Sequence, residues 1–102
     1  MDKDKRWPKE GYLQARVLKE LRSLPNVAVV KVIQATESGV SDILCCANGR
    51  FIALELKADK GKPTALQLLF IDKVIKAGGI ARVCYTWGDV VNALVGAVLE
   101  VK

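Results

Sequence analysis

The dipeptide Asn48-Gly49, set between the apolar runs Asp42 to Ala47 and Arg50 to Ala58, constrains this chain more than any other feature. Asn-Gly between strand-like runs is the strongest short-range signal for a two-residue β-hairpin, because both positions accept positive φ. Such a turn also dictates register. If Ala47 pairs with Arg50, counting outward places Asp42 directly opposite Glu55. Opposed side chains share a face, with Cβ atoms about 4.5–5.5 Å apart. Lys57, two residues beyond Glu55, falls on that same face. Both runs are apolar on both faces, as expected of central strands covered on two sides.

The remaining segments follow from periodicity and punctuation. A helix is predicted from Pro8 to about Leu24, stopping at Pro25-Asn26, with Leu13, Val17, Leu21 and Leu24 as its inner stripe. At about 100° per residue, Glu10 projects to the middle of that stripe, where an acid calls for a partner. Val27 to Ala35 reads as a strand and residues 36–41 as a small, polar loop. Lys60-Gly-Lys-Pro63 is a basic turn, Thr64 opens a helix to about Ala77, and Gly78-Gly79 ends it. Ile80 to Thr86 is a further strand. A last helix, Asp89 to about Leu99, is apolar almost all round, as in helices buried on more than one side. The order α-β-β-β-α-β-α predicts one α/β domain over residues 1–102, a small mixed sheet flanked by helices.

Composition removes whole classes of chemistry. The chain has no histidine, so Ser-His-Asp and Cys-His catalysis and histidine metal ligands are excluded. Three cysteines without a C-x₂-C pair exclude a zinc ribbon, and read as small buried hydrophobes in a reducing cytoplasm. Sixteen Lys and Arg against eleven Asp and Glu, net +5, favour a polyanionic partner. A 51% hydrophobic content is high for so small a domain and hints at a self-association surface. The charged start, Met1 to Arg6, has no apolar signal core, and no stretch approaches a membrane span. Hydrolytic chemistry would then rest on carboxylates, lysines and a hard metal ion.

Asp42 and Glu55 supply such a pair. Two acids facing each other across apolar strands repel and are poorly solvated. Mg²⁺ or Mn²⁺, held by one or two carboxylates with waters and a substrate phosphate, relieves both problems. Lys57 beside them can orient or deprotonate a water, or offset charge on a phosphate. The alternative is a buried salt bridge in which Lys57 simply neutralises the acids.

Asp42 followed by Glu55-Leu56-Lys57 has the D…(D/E)-x-K pattern of the PD-(D/E)XK nuclease superfamily. Ser38-Gly-Val-Ser-Asp-Ile-Leu-Cys45, Asn48-Gly-Arg-Phe-Ile-Ala-Leu-Glu-Leu-Lys57 and Gly61-Lys-Pro-Thr-Ala-Leu-Gln67 closely resemble the virus-type replication-repair nuclease (VRR-Nuc) family. The likeness spans about residues 10–87 and points to a stand-alone, phage-like member with a restriction-endonuclease-like core. It implies that Glu10, Asp42, Glu55 and the Leu56 main-chain carbonyl bind metal, that Lys57 serves the attacking water, and that Gln67 belongs to the site. Ser41 stands where the superfamily often has proline, a change of loop stiffness more than of chemistry. The resemblance also implies a homodimer acting on branched DNA, such as a four-way junction or flap, in replication, repair or recombination. The apolar last helix would suit the dimer interface.

Several residues carry a second reading. Thr64-Ala-Leu-Gln67 is a capping box when read alone. Lys60, Lys62 and Arg50 could contact DNA phosphates, with Lys31 a weaker case, or they could be solvated surface charges. Trp7 and Trp87 could stack bases, although packing is the commoner fate. For the whole chain the rival functions are a non-catalytic nucleic-acid-binding subunit of the same fold and a plain α/β interaction module.

Overall fold

The structure, a computed structural model, describes the backbone of residues 5–8 and 10–101 and the side chains of residues 5–8 and 13–95. Its elements are α1 (Glu10–Arg22), β1 (Val27–Lys31), β2 (Ile43–Ala47), β3 (Arg50–Leu56), α2 (Ala65–Lys76), β4 (Ile80–Cys84) and α3 (Trp87–Val101). That is the α-β-β-β-α-β-α order expected from the sequence. The sheet order is β1-β2-β3-β4; the first three strands are antiparallel, and β4 joins parallel to β3. A parallel neighbour requires a crossover, and α2 provides it. Among the described residues no helix is long and apolar enough to cross a membrane.

Asn48 (φ 52°) and Gly49 (φ 77°) both adopt left-handed backbone, the signature of a type I′ hairpin turn. The ladder runs from Ala47↔Arg50 to Ile43↔Leu54, the register counted from the turn.

Element ends depart from the sequence-based boundaries for local reasons. β1 stops at Lys31 rather than Ala35, because after one more ladder bond, Val32 N–H to the Asp42 carbonyl (2.8 Å), the chain turns away. α3 starts two residues early. Asp89 accepts the N–H groups of Tyr85 (2.8 Å) and Thr86 (3.3 Å), and its own N–H donates to Thr86 Oγ1 (3.0 Å). This is a reciprocal cap, and Thr86-x-x-Asp89 was its sequence signal.

Alternation along the strands sorts side chains into two layers. Ile43, Cys45, Ala47, Ile52, Leu54, Leu56 and Cys84 face α1 and α3, where they join Leu13, Val17, Leu21, Val90 and Ala93 in the main core. The opposite face carries a smaller cluster, Ala53 and Ala81 under Ile71 and Val74 of α2. β2 is therefore not covered on both sides as its apolar sequence suggested, since Cys46 is exposed there. One helix is too narrow to cover four strands.

Candidate active site

Asp42, the residue before β2, and Glu55, near the end of β3, come together because the hairpin register carries them there. Both belong to the α2 face, in step with Leu44 and Ala53. The Asp42 carboxylate accepts the Leu56 N–H at 2.9 Å through Oδ2. This bond fastens the acid across the ladder to the Glu55-Leu56-Lys57 segment. The Glu55 side chain is 1% exposed, and Lys57 Nζ, on a side chain 13% exposed, lies 3.7 Å from Glu55 Oε2. A carboxylate taken this far from water needs compensating charge. Lys57 supplies part of it.

The segments around this pair are tied down by bonds that the sequence reading did not anticipate. Gly39 (φ 87°) passes so close to the first turn of α2 that a Cβ there would lie 2.5 Å from the Leu66 carbonyl carbon and oxygen. Only glycine lets the 36–41 loop seat on α2 and deliver Asp42 to the sheet. The basic turn after β3 is also anchored. Tyr85 Oη donates to the Gly61 carbonyl (2.7 Å), Arg6 donates to the Asp59 carbonyl (2.7 Å), and the Asp59 N–H donates to the Trp7 carbonyl (2.7 Å). The Arg6 guanidinium lies 4.2 Å from the centre of the Tyr85 ring. A Cβ on Gly61 would stand 3.5 Å from Lys57 Cδ, so the turn closes over the stem of that lysine.

The other residues singled out in the sequence fall into distinct places. Gln67 forms the capping box: its Oε1 accepts the Thr64 N–H (2.8 Å), and its own N–H donates to Thr64 Oγ1 (3.2 Å). Its side-chain oxygen is thus engaged at the start of α2. Lys60 and Lys62 are exposed on the basic turn next to Lys57. Arg50 lies at the hairpin end of β3, five residues before Glu55 and so about 17 Å along the strand. It is not brought to the site, and exposed Lys31 ends the edge strand β1. Trp7 is buried in the main core and Trp87 packs against it. Ser41 is fully buried, and its hydroxyl has no hydrogen-bond partner among the described residues. The Glu10 side chain lies outside the described residues.

The thiols mostly fit the sequence-based expectation. Burial pushes Cys45 up to about 11, with a smaller push from Cys46, and burial with the Asp89 charge pushes Cys84 up to about 12. Such thiols stay protonated and unreactive at neutral pH.

Among the described residues no group of three or more histidine, cysteine, aspartate or glutamate side chains is placed to hold a metal ion. Asp42 and Glu55 form a two-carboxylate, all-oxygen donor pair, the donor chemistry that hard divalent cations take. Comparison of the chain with protein-family models, curated proteins and solved structures finds no match.

Proposed function

We propose that this chain is a Mg²⁺- or Mn²⁺-dependent DNA endonuclease of the VRR-Nuc type with a restriction-endonuclease-like core, acting in the cytoplasm. The observation that carries the reading is the hairpin-aligned pair. Asp42 is held to the Leu56 N–H, beside a buried Glu55, with Lys57 Nζ 3.7 Å from that carboxylate. A buried acid with a second acid in register is costly as mere architecture and useful where phosphate chemistry needs a cation.

In this reading Asp42, Glu55 and the Leu56 carbonyl hold the cation, with Glu10 from α1 as a further ligand. The bound ion supplies charge neutralisation on the phosphodiester and a water of lowered pKa. Lys57 orients the attacking water and offsets negative charge gathering on the phosphate. Lys60 and Lys62 bind neighbouring phosphates, which sets the duplex position without reading sequence. Gln67, whose Oε1 caps α2, would add to the site only through its side-chain amide. Branched DNA, a four-way junction or flap, is the substrate class, and a homodimer would present two sites to two strands.

The test is cleavage of a labelled DNA panel (duplex, single strand, flap, four-way junction) with Mg²⁺, Mn²⁺ or EDTA. Asp42→Asn and Lys57→Ala are expected to lower cutting about 10²–10³-fold or more, with DNA binding retained. Mg²⁺ or Mn²⁺ is expected to raise the melting temperature of the native chain and not of Asp42→Asn. Equal cleavage by native and variant proteins would sink the proposal. DNA binding without cutting under every metal would favour the non-catalytic subunit instead.

A further inference from the structure

The turn that follows β3 is strained, and it is held from outside. Residues 58–62 double back through a bond from the Gly61 N–H to the Ala58 carbonyl (2.7 Å). Asp59 within it sits at φ 30°, a backbone that residues with a side chain rarely adopt unless their surroundings hold them there. The ties come from two segments remote in sequence. Asp59 is gripped from the lead-in to α1: its N–H donates to the Trp7 carbonyl (2.7 Å), and its carbonyl accepts from Arg6 Nη1 (2.7 Å). Gly61 is gripped from the end of β4, where Tyr85 Oη donates to its carbonyl (2.7 Å). The two ties are also joined to each other. The Trp7 N–H donates to the Tyr85 carbonyl (3.1 Å), and the Arg6 guanidinium lies 4.2 Å from the centre of the Tyr85 ring. The buried Trp7 side chain roots this arrangement in the main core.

We propose that Tyr85 and Arg6 are positioning residues for Lys57. Acting through Gly61 and Asp59, they hold the 58–62 turn against the lysine stem and so keep its amine beside Glu55. β3 and β4 run parallel and end at the same edge of the sheet, where Lys57 and Tyr85 directly follow the paired residues Leu56 and Cys84. The Lys57 N–H donates to the Cys84 carbonyl (3.0 Å), which fixes the root of the side chain. The flexible stem beyond it still loses entropy when its amine is held in one place. Gly61 limits that freedom in advance. A Cβ there would stand 3.5 Å from Lys57 Cδ and 3.7 Å from Lys57 Cβ, so the turn lies in ordinary contact with the stem. Nζ then rests 3.7 Å from Glu55 Oε2. A tyrosine serving only to pack would not need its hydroxyl, yet that atom makes the tie to Gly61. A group held in place beforehand is what a reacting centre needs. The consequence for cleavage rests on the proposed nuclease function; the ordering of the lysine stands without it.

NMR of the full chain with isotope-labelled lysine reads the ordering without DNA or metal, the Lys57 Cε–Hε signal being assigned through Lys57→Arg. In the native chain the two Hε protons are expected at separate shifts, as on a fixed stem. Tyr85→Phe, which keeps the ring, is expected to merge them into a single averaged signal. Arg6→Ala should do the same, and Arg6→Lys, which keeps a cation over the ring, should restore the splitting in part. In cleavage assays at saturating Mg²⁺, Tyr85→Phe is expected to lower kcat about tenfold. KM for DNA should stay unchanged, because the exposed Lys60 and Lys62 reach phosphates on free stems. Separate shifts persisting in both Tyr85→Phe and Arg6→Ala would overturn the proposal. So would an averaged signal in the native chain, or merged signals with kcat unchanged. Merged signals in the variants of a chain that cuts no DNA under any metal would uphold the positioning and sink the nuclease reading alone.

Discussion

The two faces of the sheet are built from the same strands and treated in opposite ways. Toward α1 and α3 the strands present Ile43, Ile52, Leu54 and Leu56, all closed off from water. Toward α2 they present Ala53, a buried acid, a bare strip and the site lysine. The first face holds the molecule together. The second is shallower because α2 alone covers it, leaving Cys46 and Phe51 of the neighbouring strands exposed. Alternation along β3 makes the division possible, since Leu54 and Leu56 go to the core while Glu55 between them goes to the site.

The comparison breaks most visibly at paired positions. Leu54→Ala on the closed face is expected to cost about 2–5 kcal/mol, lost transfer energy plus a cavity. Phe51→Ser on the open face should cost well under half as much. Urea midpoints at fixed pH check both, and equal losses would mean that the faces do not differ.

A second effect separates the faces by pH. Cys45 and Cys84 lie in the main core with thiols raised to about 11 and about 12 from an ordinary value of 9.0. Below about pH 9 both are neutral in folded and unfolded chains, and their contribution is fully present. Above it the unfolded chain ionises first, so stability falls as pH rises through 11 to 12, on the order of a few kcal/mol in all. Cys84→Ala is expected to flatten this loss in urea titrations from pH 8 to 12.

Smaller effects probe how the open face is aimed. Gly39→Ala forces a Cβ against α2 at positive φ. It is expected to cost about 1–3 kcal/mol and to reduce cleavage beyond its effect on stability, because Asp42 is displaced. Unchanged kcat at saturating metal would show that the loop does not aim the acid. Thr64→Ala and Gln67→Ala should each cost about 1 kcal/mol by removing half of the cap. A tenfold loss of cleavage in Gln67→Ala alone would assign that side chain to the site as well as to the cap.

Much of the candidate site's geometry was legible because it depends on local rules. Asn48-Gly49 specifies a turn, the turn specifies register, and register brings Asp42 to Glu55 and Lys57. The capping box at Thr64 was equally readable, since its partners are three residues apart. Gly39 against Leu66 and Tyr85 against Gly61 could not be read, because each contact joins segments more than twenty residues apart.

The sequence by itself determined the order of the elements, the hairpin register and the pairing of the two acids, because turn chemistry and side-chain periodicity act over a few residues. Only the tertiary structure decided which sheet face each helix covers, and hence that β2 stays half open while Arg50 stands far from the site. Those outcomes depend on the width of one helix against four strands and on which faces meet, and no local pattern encodes either.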